Sequence, residues 1–217
     1  MKSGILSVLA AAAALLFASH ASLAQTDAKF EVGTHYQELA VPQPTSAEPG
    51  KVEVAEIFMF GCPGCFGFEP HLERWLETKP DYVSFIRIPA RWNPLAETHA
   101  RAYYTAEVLG IADEIAGPFF NEVHMNGNHL DTEAKLAQFF ANYGVEPATF
   151  SNTFKSFAVD AKLGRAKDLV ERYRVRSTPT VVVNGKYLTT GQLAGTYPNW
   201  FAIIDELAAR ERGAGSE

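Results

Sequence analysis

The chain holds two cysteines, Cys62 and Cys65, separated only by Pro63 and Gly64. Thiols three positions apart at a helix start lie within one turn of each other, close enough to form a disulfide that opens and closes reversibly. A bridge around two intervening residues constrains the unfolded chain very little, so a purely structural role suits it poorly. Zinc is the other chemistry open to a Cys-x-x-Cys, but a structural zinc takes four ligands and the chain has no second pair. His35, His71, His99, His124 and His129 are scattered, and His124 and His129, flanking Asn126-Gly127, read as part of a solvated loop. No Gly-rich phosphate loop, strained Gly-x-Ser-x-Gly turn or carboxylate pair of clear geometry competes with the thiols. The residues therefore ask for electron transfer through sulfur, with neither metal nor cofactor.

Such a pair needs a rigid approach and a helix to sit on. Residues 52–60 are almost continuously apolar, which reads as a central strand covered on both faces. Pro63 suits the first helical position, where its missing N–H costs nothing, and the helix continues through Leu72, Trp75 and Leu76 past a kink expected at Pro70. Residues 82–88 form a second strand, with Val83, Phe85 and Arg87 on one face. From 94 to 175 the pattern is helical. Segments are expected at 95–109, 112–123 (interrupted near Pro118), 134–143, 147–157 and 158–173, with Gly110 and Gly144 closing two of them. Strand character returns at 180–183 and 186–189 around Asn184-Gly185, a strong hairpin signal, and a last helix covers 198–209. Residues 25–50, with Pro42, Pro44 and Pro49, read as an extended arm with one short edge strand. The order is that of an α/β thioredoxin fold, and its middle is too long for one crossover helix. The division expected is a leader at 1–24, thioredoxin-like parts at 25–92 and 173–217, and an inserted all-helical domain at 93–172.

The leader carries Lys2 as its only charge, an apolar stretch from Ile5 to Phe17, and small residues up to Ala24. These are the marks of a cleaved signal peptide, and the stretch is short and Ala-rich for a membrane anchor. Export places the pair where disulfides persist. Removing the leader takes one lysine away, moving the formal charge from −6 to −7. A mildly acidic chain with no basic stripe argues against nucleic acid. About 190 residues remain, enough to bury a real core.

Three features together resemble the DsbA family of bacterial periplasmic thiol oxidases. They are Cys62-Pro63-Gly64-Cys65 after a strand, Thr178-Pro179-Thr180 opening a strand, and the hairpin Val183-Asn184-Gly185-Lys186-Tyr187. The likeness covers essentially all of the chain after the leader. It implies that Pro179 is cis and faces the cysteines, leaving the Thr178 backbone free to pair with an extended substrate. It also implies that Glu56 is a buried acid assisting proton transfer at Cys65. A charge inside an apolar strand is expensive to bury, and the alternative is a wet strand edge with Glu56 in solvent. The nearest basic candidate to pair with it is Lys79. Two residues depart from the family pattern: Gly64 replaces the usual histidine, and Thr178 stands where valine is common.

Cys62, just before the helix, is expected to carry the exposed and acidic sulfur, favoured as a thiolate by the helix terminus. Stabilising that thiolate stabilises the reduced protein and makes the disulfide a stronger oxidant. The resemblance implies reduced exported proteins as substrates and a membrane quinone-linked reoxidase of the DsbB type. Phe66, Phe68 and the segment before Pro179 are candidates for an apolar docking groove, although aromatics at this spacing are more often core. A disulfide isomerase or reductase on the same scaffold is the main rival. Only about 27 residues separate the leader from Val52, too few for a separate dimerisation domain, which favours a monomeric oxidase. A non-catalytic binding module with a structural disulfide is the remaining reading.

Overall fold

Seven consecutive residues, Val52–Phe58, are buried on both faces, and they form the strand around which the molecule is built (β2). The computed structural model describes residues 29–214, so the expected leader lies outside the described residues. β1 is Gln37–Glu38, α1 Pro63–Thr78, β3 Val83–Pro89, β4 Thr180–Val183 and β5 Tyr187–Thr190. The sheet order is β1-β5-β4-β2-β3. β2 and β3 run parallel, and α1 supplies the crossover that parallel neighbours require. The other neighbours are antiparallel. Asn184 and Gly185 turn between β4 and β5 with φ of 50° and 62°, the left-handed pair such a hairpin demands. The short edge strand expected in the N-terminal arm is β1.

Between β3 and β4 lie five helices: α2 (Pro94–Leu109), α3 (Ala112–His124), α4 (Glu133–Ala141), α5 (Pro147–Phe154) and α6 (Phe157–Arg172). Asn93, Thr132 and Ser156 cap α2, α4 and α6 through their side chains, and Gly110 closes α2 at φ 76°. α3 runs through Pro118, where the sequence suggested a break. Ile115, Phe119 and Phe120 are almost wholly buried on its inner face, and at about 1.5–3 kcal/mol per side chain their burial outweighs one lost helical hydrogen bond. A short α7 (Gly191–Ala194), not foreseen, precedes α8 (Tyr197–Ala214), which extends beyond the expected 198–209 at both ends.

The sheet divides the core. Val52, Val54, Val83, Val181 and Val183 face α1 and α8 and pack with Phe68, Leu72, Trp75, Trp200 and Ile203. Ala55, Ile57, Ile88 and Val182 face the inserted helices and pack with Tyr103, Phe119, Phe140 and Tyr173. The architecture is a thioredoxin fold with a helical insertion, and the insertion covers one sheet face.

Candidate active site

β2 delivers the chain to the cysteine pair through Met59, Phe60 and Gly61. Phe60 anchors this approach, with its ring stacked on Phe119 at 4.0 Å and set edge-on against Phe58 at 5.0 Å. Cys62 is the N-cap of α1 and its backbone N–H donates to the Met59 carbonyl at 3.0 Å. Pro63 takes the first helical position, as its fixed φ favours. Cys65, one turn in, is completely buried, whereas Cys62 is half-buried, and both are free thiols.

The loop before β4 closes over the pair. The Thr178–Pro179 peptide bond is cis, and the Cys62 thiol lies 3.3 Å from the Thr178 carbonyl oxygen. A side chain at position 64 would start 3.2 Å from Pro179 Cδ, so Gly64 is the floor on which this loop rests. Cys62, Pro63, Gly64, Cys65, Thr178 and Pro179 thus converge from two distant parts of the chain.

The two sulfurs differ sharply in acidity. A hydrogen bond from the Cys65 thiol is the largest influence on Cys62, whose pKa falls from 9.0 to about 5 against the opposing effect of burial. The Thr178 side chain and the backbone N–H groups of Cys65 and Gly64 add to the lowering. The Thr178 carbonyl itself can bond only the protonated thiol, so it locates the sulfur, while the N–H groups of the helix start favour the thiolate. Burial, and then the Cys62 sulfur and Glu56, drive the Cys65 pKa far above its ordinary value.

Beneath the pair lies a buried ionic triad. Glu56 is wholly buried, which excludes the solvated strand edge. Arg87 Nε donates to Glu56 Oε2 at 3.2 Å and Arg87 Nη2 to Glu69 Oε1 at 2.5 Å. Burial pushes Glu56 up to about 7 despite Arg87, and Glu69 is raised by burial in the same way. Burial also works against the Arg87 charge, but the two carboxyls outweigh it and hold its pKa up. Glu56 Oε1 and Glu69 Oε2 have no hydrogen-bond partner among the described residues. Two carboxyls sharing one guanidinium favour retention of a proton.

Several expectations need correction here. Lys79 does not reach Glu56; it caps the far end of α1 and donates to the Val83 carbonyl at 2.8 Å. Arg87 takes that place because parallel register sets it directly opposite Glu56, as Val83 faces Val52 and Phe85 faces Val54. Glu69 was missed entirely. Its signal was helical spacing, since it lies four residues after Cys65 and three before Leu72, on the buried face of α1. Phe68 is not a docking surface: it is buried against Trp200 and Phe201. Phe66 is half-buried and its ring stacks on His124 at 4.7 Å. His124 is no loop residue but the last residue of α3, packed against the cysteine segment.

A family model described as the DSBA-like thioredoxin domain matches residues 83–197. The thiol:disulfide interchange protein DsbA of Pseudomonas aeruginosa is 35% identical over 217 residues, spanning 100% of both chains. That of Pseudomonas syringae pv. tomato is 36% identical over 99% of this chain and 98% of its own. A crystal structure of P. aeruginosa DsbA superposes with a TM-score of 0.81 at 36% identity, covering 87% of this chain and 97% of the other. None of the described helices is long and apolar enough to cross a membrane. Sequence, fold and the thiol pair agree: the chain belongs to the DsbA family and is a disulfide oxidoreductase.

Proposed function

We propose that this protein is an exported, monomeric thiol oxidase that donates a Cys62–Cys65 disulfide to reduced proteins in the periplasm. A membrane quinone-linked reoxidase of the DsbB type restores the disulfide after each turnover. The observation that carries this direction is the asymmetry of the two sulfurs: an acidic, half-buried Cys62 beside a buried Cys65 held as a thiol. A stabilised Cys62 thiolate favours the reduced protein, and so favours giving the disulfide away. The leader-like residues 1–24 and the names of the Pseudomonas relatives support the compartment and the class. The division of labour follows the expected boundaries, with catalysis in the thioredoxin-like parts at 25–92 and 173–217 and the helical domain at 93–172 covering them.

In the forward reaction a substrate thiolate attacks Cys62 Sγ, forming a mixed disulfide and breaking the bond to Cys65. Cys65 leaves as a thiolate and takes a proton, for which Glu56 is the donor; a carboxyl pushed up to about 7 exists in both protonation states near neutrality. A second substrate thiolate attacks the substrate sulfur of the mixed disulfide and expels Cys62 as a thiolate. The substrate loses two electrons and becomes a disulfide, and the protein gains them as the dithiol. Pro63 and Gly64 present the Cys62 sulfur. Thr178 and Pro179 border it with backbone that offers a carbonyl but, at the proline, no N–H, which suits an extended substrate lying alongside.

Gly64 in place of histidine and Thr178 in place of valine favour the second reading, an isomerase or reductase with a lower potential. Equilibration of the pair against a glutathione redox buffer decides between them. A potential well above about −180 mV is expected of the oxidase, and a value near about −270 mV reverses the direction.

A further inference from the structure

The imidazole of His124 touches both flanks of the redox motif. Its Nε2 lies 2.7 Å from the Phe60 carbonyl oxygen, two residues before Cys62. A carbonyl only accepts, so this nitrogen carries the hydrogen and donates it. The same ring lies parallel to Phe66, the residue after Cys65, at 4.7 Å and 10°. One side chain from the inserted helices therefore holds the chain where it enters Cys62–Cys65 and where it leaves.

We propose that His124 is a positioning residue for the redox pair: its hydrogen bond to the Phe60 carbonyl orients the peptide entering Cys62, so that the Cys62 sulfur meets the N–H groups at the start of α1. The inference rests on the oxidoreductase reading of the site but not on its direction. Gly61 is what makes the bond matter. It is exposed, and a Cβ added there would meet nothing, so no packing restrains the backbone between Phe60 and Cys62. Backbone hydrogen bonds hold it instead, among them the Cys62 N–H bond to Met59, the Phe66 N–H bond to the Cys62 carbonyl and the His124 bond to Phe60.

Packing alone does not call for an imidazole here. Phe60 is already stacked on Phe119 and set against Phe58 and Phe120, and Phe120 lies beside His124 at 6.2 Å. A phenyl ring at position 124 would keep the apolar contacts with Phe66 and Phe120 without burying a polar edge. What the imidazole adds is a directed donor. In the oxidised protein the covalent bridge to Cys65 fixes the Cys62 sulfur in any case. In the reduced protein the sulfur is held by hydrogen bonds alone, from the Cys65 thiol and the helix-start N–H groups, so loss of the donor that orients the backbone falls selectively on the thiolate form.

The test compares His124→Phe, which keeps the ring without the donor, with His124→Gln, which keeps a donor without the ring. Each is read by its equilibrium constant against glutathione and by titration of the Cys62 thiolate through its ultraviolet absorbance. His124→Phe is expected to lower the equilibrium constant for oxidising glutathione by about threefold to tenfold, the scale of one net hydrogen bond, and to move the thiolate titration upward. His124→Gln is expected to stay within about twofold of the parent, a change smaller than one such bond. If His124→Phe is not recovered folded, His124→Leu is read in its place. Parental constants in the donor-less variant, or an equal fall in His124→Gln, would overturn the proposal. The parent's absolute potential tests the direction of the reaction separately, so the two failures are distinguishable.

Discussion

Cys62 and Cys65 share a chemistry and are separated by environment. One stands at the mouth of a helix facing backbone N–H groups, and the other is sealed between α1 and β2. Cys62→Ser is expected to abolish exchange, because no nucleophile remains at the accessible position. Cys65→Ser is expected to accumulate mixed disulfides with substrate, since the resolving thiol is gone; gel mobility with and without reductant reads both. Glu56 belongs to the same scale. Glu56→Gln keeps the shape and the bond from Arg87 but cannot pass a proton, so exchange should slow by about tenfold or more while the denaturation midpoint holds. Unchanged stopped-flow rates would leave Glu56 a purely structural partner of Arg87.

At the scale of elements, the triad is a product of strand register and helix phase. β2 and β3 pair in parallel so that Glu56 meets Arg87, and α1 adds Glu69 from one turn below Cys65. Among the described residues these three side chains form ion pairs only with one another. Arg87→Met removes the triad's cation and leaves two buried carboxyls facing each other. A loss of about 3–5 kcal/mol is expected near neutral pH. The loss should shrink below about pH 5, where both carboxyls hold protons without a counter-charge; urea titrations at the two pH values measure it. An equal loss at both would mean that Arg87 contributes through packing rather than charge.

For the whole molecule, the acidity of Cys62 links redox state to stability. Its pKa in the folded reduced protein is about 5 against 9.0 for an unperturbed thiol. A depressed pKa contributes stability that is present in full above the unfolded value and lost as pH falls to the folded value. The oxidised protein has no such thiolate. The reduced form is therefore expected to gain stability relative to the oxidised form as pH rises from about 5 toward about 9. Glu56, raised from 4.5 to about 7, acts in the opposite sense in both forms, costing stability as pH rises through that interval. Denaturant midpoints of the two forms across this range check the linkage, and a stability difference independent of pH would contradict it. The helical insertion belongs to this scale too, since it buries one sheet face and reaches back to the redox segment through Phe119 and His124.

Local chemistry is written in one stretch of chain, and that is the part the sequence determined by itself. The thiol pair, Pro63 at the first turn, the apolar run of β2, the Asn184-Gly185 hairpin and the capping glycines each depend on neighbours a few residues away. Motifs in a fixed order were enough to indicate the thioredoxin scaffold and its helical insert. The ionic partner of Glu56 was decided by register between two strands, which no local pattern specifies; Lys79 and Arg87 look alike until β2 and β3 are aligned. Glu69 drew no notice and Phe68 was a candidate for the docking groove until the phase of α1 placed one beneath the sulfur and the other in the core. His124 looked like part of a solvated loop, because its contacts lie some sixty residues back along the chain. Tertiary packing decides such matters because the energy of a buried charge or a directed hydrogen bond depends on what lies across the gap, not on what lies beside it in sequence.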